Sequence, residues 1–127
     1  MIRGDPALKH VFIVDDSITT LKLAEKSLKN SFTLTLLISG KQFFMALEKK
    51  TPDLVLLDIE IPDIDGISIL EKMKANPAWA KIPVVFLTSL TETEFVKKGL
   101  QAGALDYISK PFDAEALPAR ISDLLKK

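Results

Sequence analysis

The chain of 127 residues contains no cysteine, so no disulfide framework and no thiolate metal site can form. That absence fits a reducing compartment, and a cytoplasmic location is expected. Charge of one sign is not in excess: Lys+Arg and Asp+Glu are 17 each. The balance argues against a direct nucleic-acid surface, an acidic tail or an anionic-membrane binder. Long hydrophobic runs are missing too. No stretch approaches the roughly 18 apolar residues of a membrane helix. The N-terminal region has no signal-peptide core, its first apolar run, Val11 to Val14, being only four residues long. The one histidine, His10, precedes that run with no partner in view and is expected to face solvent.

What is present is a single domain by length, long enough to bury about two thirds of its unfolded surface in one core. Residues 1–9 are polar, contain Gly4 and Pro6, and read as a flexible leader to a domain over 10–127. Short apolar runs then alternate with helix-periodic segments. Val11 to Val14 reads as a buried strand; Ser17 caps a helix that runs to about Asn30, with Leu21, Ala24 and Leu28 on one face. Phe32 to Ile38 is a second strand, and Phe43, Phe44 and Leu47 give the helix after Ser39-Gly40 its apolar stripe. Leu54 to Leu57 is an uninterrupted apolar run that ends on Asp58, as in a strand buried on both faces of a parallel sheet. A third helix, Ile67 to Asn76, turns Ile67, Leu70 and Met73 inward; Pro77, Trp79 and Pro83 mark an irregular link. Ile82 to Leu87 is a fourth strand. Thr91 and Glu94 form a capping-box pair for a helix carrying Gly99, which costs about 1 kcal/mol against Ala and softens it. Ala104 to Ser109 is a fifth strand, and Asp113 starts a last helix through Leu124. Five strands alternating with five helices predict an α/β fold, a parallel sheet with helices on both faces.

The chemistry gathers at the carboxyl ends of the strands, where open α/β sheets bind ligands. Strand one ends in Asp15 and Asp16, strand three in Asp58, strand four in Thr88 and strand five in Lys110. Carboxylates brought this close repel one another unless a cation joins them. Oxygen ligands alone point to a hard cation, Mg²⁺ rather than Zn²⁺. A carboxylate, Mg²⁺, an ammonium and a hydroxyl together suit a phosphoryl group, and a carboxylate can itself be the nucleophile that accepts it.

These residues, in this order, resemble the response regulator receiver domain of two-component signalling. The likeness runs from about His10 to Leu125. It rests on the acidic pair Asp15-Asp16, the Asp-x-x-x-Pro-x-x-Asp-Gly loop (Asp58, Pro62, Asp65, Gly66), Thr88 and Lys110-Pro111, with Gly103-Ala104 and Tyr107 also fitting. The resemblance implies a doubly wound, flavodoxin-like sheet of order 2-1-3-4-5. It implies that Asp58 accepts phosphoryl from a histidine kinase or a histidine phosphotransfer protein, in a reaction needing Mg²⁺ (or Mn²⁺). It implies that Asp15, Asp16, Asp58 and the Glu60 backbone carbonyl hold the metal, that Thr88 and Lys110 bind the phosphoryl oxygens, and that the Lys110–Pro111 bond is cis. It implies that Tyr107 follows Thr88 as a switch read on the surface of helix four, strand five and helix five, toward an output partner or domain the sequence does not name. Glu60 and Leu90 flank the site where the lifetime of the phosphorylated state is set. The chain is then no enzyme, beyond catalysing its own phosphorylation and dephosphorylation. Three other readings compete: a flavodoxin-like cofactor carrier would want a Ser/Thr/Gly-rich phosphate loop after strand one, where Asp15-Asp16 would repel a phosphate without a metal. Asp63-x-Asp65-Gly66 superficially resembles an aspartate-nucleophile phosphatase loop, but Pro62 precedes it and the strand already ends at Asp58. A degenerate receiver acting as a scaffold would not need the full acidic, hydroxyl and lysine set.

Overall fold

The computed structural model describes residues 8–89 and 93–127. Five strands, β1 (His10–Val14), β2 (Thr33–Leu37), β3 (Leu54–Leu57), β4 (Val84–Thr88) and β5 (Asp106–Ser109), alternate with α1 (Ile18–Leu28), α2 (Gly40–Lys49), α3 (Gly66–Ala75), α4 (Thr93–Gln101) and α5 (Leu117–Leu125). The strands form one parallel sheet in the order β2-β1-β3-β4-β5, as the resemblance implies.

The alternation of side chains along each strand divides the core in two. Phe12, Val14, Val55, Leu57, Val84 and Phe86 point to one face, where Phe43 and Leu47 of α2 and Ile69, Leu70 and Met73 of α3 cover them. Val11, Ile13, Leu54, Leu56, Val85 and Leu87 point to the other, beneath Leu21, Ala24 and Leu28 of α1 and Leu117, Ile121 and Leu124 of α5. Every residue of β1, β3 and β4 is buried, which is why 11–14, 54–57 and 84–87 are continuously apolar rather than alternating. Trp79 stacks at a tilt on Phe44, with ring centroids 5.7 Å apart, and closes the end of the first layer.

Several local expectations shift; β5, expected from Ala104, begins at Asp106. His10 is not solvent-facing: it opens β1, is buried, and its Nε2 lies 2.7 Å from Thr35 Oγ1. Its backbone N–H donates to Asp53 Oδ2 at 2.7 Å, which draws the residue into the sheet. In α3 the innermost residues are Ile69, Leu70 and Met73, while Ile67 is half-buried against them. β4 starts after Pro83, which has no N–H for the ladder. α5 begins at Leu117: Asp113 instead closes a turn, its Oδ1 accepting from the Glu115 and Ala116 N–H groups, and Pro118 sits in the first helical turn where a missing donor costs nothing. Thr91, expected to cap α4, lies outside the described residues, as does Leu90. Gly99 packs tightly on Phe86: a Cβ there would sit 2.6 Å from the ring. Gly103, at φ +110°, turns the chain after α4 as a left-handed C-terminal glycine.

Candidate functional site

The sheet edge formed by the strands' carboxyl ends is held in register by backbone bonds that continue past the strands. The Asp15 N–H donates to Leu37 O and the Asp58 N–H to Val14 O, each at 3.0 Å; the Lys110 N–H donates to Thr88 O at 2.9 Å. These bonds fix where the three side chains begin, and they begin close together. Oxygens of Asp15, Asp16 and Asp58 all lie within 4.8 Å of one another. Lys110 Nζ donates to Asp15 Oδ2 at 2.5 Å and to Asp58 Oδ2 at 3.1 Å. The second oxygen of Asp15 accepts from the Ser17 N–H at 2.9 Å, and that of Asp58 from the Glu60 N–H at 3.1 Å. The sequence-predicted acids and lysine therefore meet on one edge, with Thr88, also buried, at the end of the neighbouring strand.

Burial decides the electrostatics. Asp15 is 1% exposed, and its removal from water pushes its carboxyl above the usual carboxylate range against the pull of Lys110 and the Ser17 N–H. Burial works against the Lys110 ammonium as well, but the hydrogen bonds it donates to Asp15 and Asp58 outweigh it and hold the amine above its ordinary value. Three carboxylates against one ammonium leave a formal excess of two negative charges. That excess, with an all-oxygen donor set and no imidazole among it, fits one hard divalent cation. Asp16 and Glu60 are exposed and line an open cleft of about 1020 Å³ bordered by Pro62, Phe95 and Lys98.

The loop after β3 is pinned against this cluster. The Gly66 N–H donates to Ile59 O at 2.7 Å, and a Cβ on Gly66 would lie 2.5 Å from the Asp58 carbonyl oxygen, so only glycine allows that approach. Asp65 caps α3 through the Ser68 N–H at 2.9 Å. Asp63 spends both carboxylate oxygens on α2, accepting from the Gly40 and Lys41 N–H groups at 3.0 Å each. Both acids thus hold helix starts, and neither belongs to the Asp15, Asp16 and Asp58 cluster. The Lys110–Pro111 peptide is cis. Tyr107, in β5, is half-buried against the layer containing Phe86, and its carbonyl accepts from the Arg120 guanidinium at 3.4 Å.

Residues 11–122 match the family described as the response regulator receiver domain. The chain is 34% identical over 115 residues to a probable transcriptional regulator, ycf29, of Porphyra purpurea, covering 91% of this chain and 55% of that protein. It is 33% identical over 124 residues to the DNA-binding response regulator MtrA of Mycobacterium tuberculosis, covering 97% of this chain and 53% of that one. It thus spans about half the length of these relatives. Among solved structures, the BeF3-activated receiver domain of DrrB superposes with a TM-score of 0.84 at 31% identity, over 94% of this chain and 99% of that one. A match that enters at the first strand and leaves inside the last helix takes in every strand end described above, and the chain belongs to the response regulator receiver domain family.

Proposed function

We propose that Asp58 is the phosphoacceptor of this receiver domain. The observation that carries the reading is the placement of Lys110 Nζ between Asp15 and Asp58, at 2.5 and 3.1 Å. An ammonium there already compensates negative charge at the point where a phosphoryl group would add more.

In the proposed reaction a carboxylate oxygen of Asp58 attacks the phosphorus of a phosphohistidine on a histidine kinase or histidine phosphotransfer protein. The P–N bond breaks, the imidazole nitrogen keeps the electron pair and takes up a proton, and an acyl phosphate forms on Asp58. Asp15, Asp16, Asp58 and the Glu60 carbonyl are the groups proposed to hold Mg²⁺ (or Mn²⁺). The cation, when bound, neutralises charge on the acceptor and the incoming phosphoryl oxygens. Lys110 then pairs with phosphoryl oxygens in place of a carboxylate, and the Thr88 hydroxyl donates to another. Movement of Thr88 makes or removes room for Tyr107 and biases the face of α4, β5 and α5, a local charge event acting on a bistable element. The chemistry is self-modification rather than turnover of a separate substrate. The output is a separate partner or domain, and the expected setting is the cytoplasm.

Incubation with radiolabelled acetyl phosphate and Mg²⁺ tests the reading. One label per chain is expected in the wild type, none in Asp58→Asn, and none when EDTA replaces Mg²⁺. Label that survives Asp58→Asn removes Asp58 from the role; a wild type that takes no label favours the scaffold reading.

A further inference from the structure

We infer that Asp63 is a positioning residue for the phosphoacceptor loop, latching it to the start of α2. The inference rests on the proposed function of Asp58 and deepens it. The first turn of a helix leaves four N–H groups without intrahelical partners. In α2 the N-cap side chain reaches only one of that set: Ser39 Oγ accepts from the Gln42 N–H at 3.1 Å, while Ser39 O accepts the first intrahelical bond, from the Phe43 N–H at 3.0 Å. The two donors ahead of these, Gly40 and Lys41, are taken by Asp63 from 23 and 22 residues away. The pair is charge-assisted, bidentate and aligned with the positive end of the helix, which is the strong form of such a contact.

A second contact follows from the same approach. Gly40 is buried against the loop so closely that a Cβ would lie within clashing distance of Ile64 Cγ2. The loop from Ile59 to Asp65 is thus held at three places: Ile61 is buried in the core, Gly66 rests on the Asp58 carbonyl, and Asp63 is fastened to α2. Glu60, whose backbone carbonyl is a proposed metal ligand, lies between Asp58, on whose carbonyl Gly66 rests, and the buried Ile61. A loop fastened only near Asp58 would have to be ordered each time the cation binds. With the Asp63 latch that ordering is complete beforehand, and the carbonyl is presented rather than recruited. Groups that hold a ligand in place from behind alter metal affinity when removed, by about tenfold or more.

The experiment compares two caps of one helix. Asp63→Ala and Ser39→Ala each remove acceptors from the first turn of α2, and both are expected to lower its stability. Only Asp63 connects to the loop. Mg²⁺ affinity is measured by calorimetric titration of the folded proteins, with folding checked by thermal unfolding, alongside labelling by acetyl phosphate. Asp63→Ala is expected to weaken Mg²⁺ about tenfold and to slow labelling; Ser39→Ala is expected to bind Mg²⁺ within twofold of the wild type. Asp63→Asn, which keeps one acceptor, should fall between Ala and the wild type. The inference is overturned if Asp63→Ala binds Mg²⁺ as the wild type does, or if Ser39→Ala weakens it equally. A wild type that binds no Mg²⁺ and takes no label overturns the function reading instead, and the latch with it.

Discussion

Lys110 lies 2.5 Å from Asp15 although 95 positions separate them in the chain. The contact exists because β1 and β5 are parallel members of one sheet, so that their carboxyl ends share an edge. It also sets a competition. Lys110 compensates the acidic cluster in the absence of a cation, and a divalent cation would take over much of that task.

Lys110→Ala leaves Asp15 and Asp58 buried without their ammonium, and breaking such a pair costs toward the low end of about 3–5 kcal/mol, since Lys110 keeps some contact with water. Thermal unfolding in EDTA should show the loss. Mg²⁺ should raise the melting temperature of the variant by more than that of the wild type, because it restores a counter-charge the variant lacks. An equal rise in both would show that Lys110 and the cation do not compete.

His10 supplies the pH dependence. Burial holds its imidazole below the ordinary 6.5, the charge of Lys50 pushes the same way, and Asp53 opposes both. Its Nε2 meets Thr35, while Nδ1 has no partner among the described residues. The unfolded chain therefore binds a proton that the folded chain refuses. Stability should fall as pH drops from about 6.5 through the lowered folded value, with a slope of at most about 1.4 kcal/mol per unit. Above 7 this group contributes no slope. Urea titrations of the wild type and His10→Gln between pH 5 and 8 check this: the wild type should lose stability relative to the variant only on the acid side.

His10 also shows where sequence reasoning stops. The runs Val11 to Val14 and Leu54 to Leu57 are legible because a strand buried on both faces has no polar positions to interrupt it. The site was legible for a related reason: the ends of parallel strands lie on one edge, so Asp15, Asp58, Thr88 and Lys110 could be collected before any distance was known. An apolar run marks only residues that bury hydrocarbon, however. The carboxylate of Asp53 and the hydroxyl of Thr35 bring His10 into the sheet, and both come from other parts of the chain. Asp63 was opaque in the same way. Within its loop it reads only as the start of a superficial phosphatase-like motif, and its partners belong to a helix start more than twenty residues earlier. Pro118 did carry a local signal, since proline favours the first helical turn, and that places the start of α5 later than Asp113 does.

Gly99 joins two opposing effects whose sizes can be compared. Replacing it by Ala should favour α4 by about 1 kcal/mol from propensity alone. The added Cβ would sit 2.6 Å from a ring carbon of Phe86, which is buried in β4 and cannot swing away. Overpacking of that kind costs about 1–3 kcal/mol, so Gly99→Ala should be destabilising on balance, by about 1 kcal/mol. The sign should reverse in a Phe86→Leu background, where the space exists and the propensity gain is released. Denaturant midpoints of the four proteins test this, and additivity of the two changes would show that Gly99 serves the helix and not the ring.

The proposed coupling from Thr88 to Tyr107 can be read at a single atom, because the chain has one tyrosine. Fluorotyrosine incorporation gives one ¹⁹F resonance, from a ring that is half-buried beside the layer containing Phe86. Phosphorylation by acetyl phosphate with Mg²⁺ should move that resonance in the wild type. Thr88→Ala removes the hydroxyl proposed to follow the phosphoryl group while leaving Asp58 and Lys110 in place, so the variant should still take label but its ¹⁹F signal should stay where the unphosphorylated protein has it. A truncation that merely loosened the end of β4 would shift the resonance before any phosphoryl donor is added, and the two cases are therefore distinguished by the spectrum of the unlabelled variant. If the labelled Thr88→Ala protein reproduces the wild-type shift, the ring responds to the new charge by a route that does not pass through Thr88.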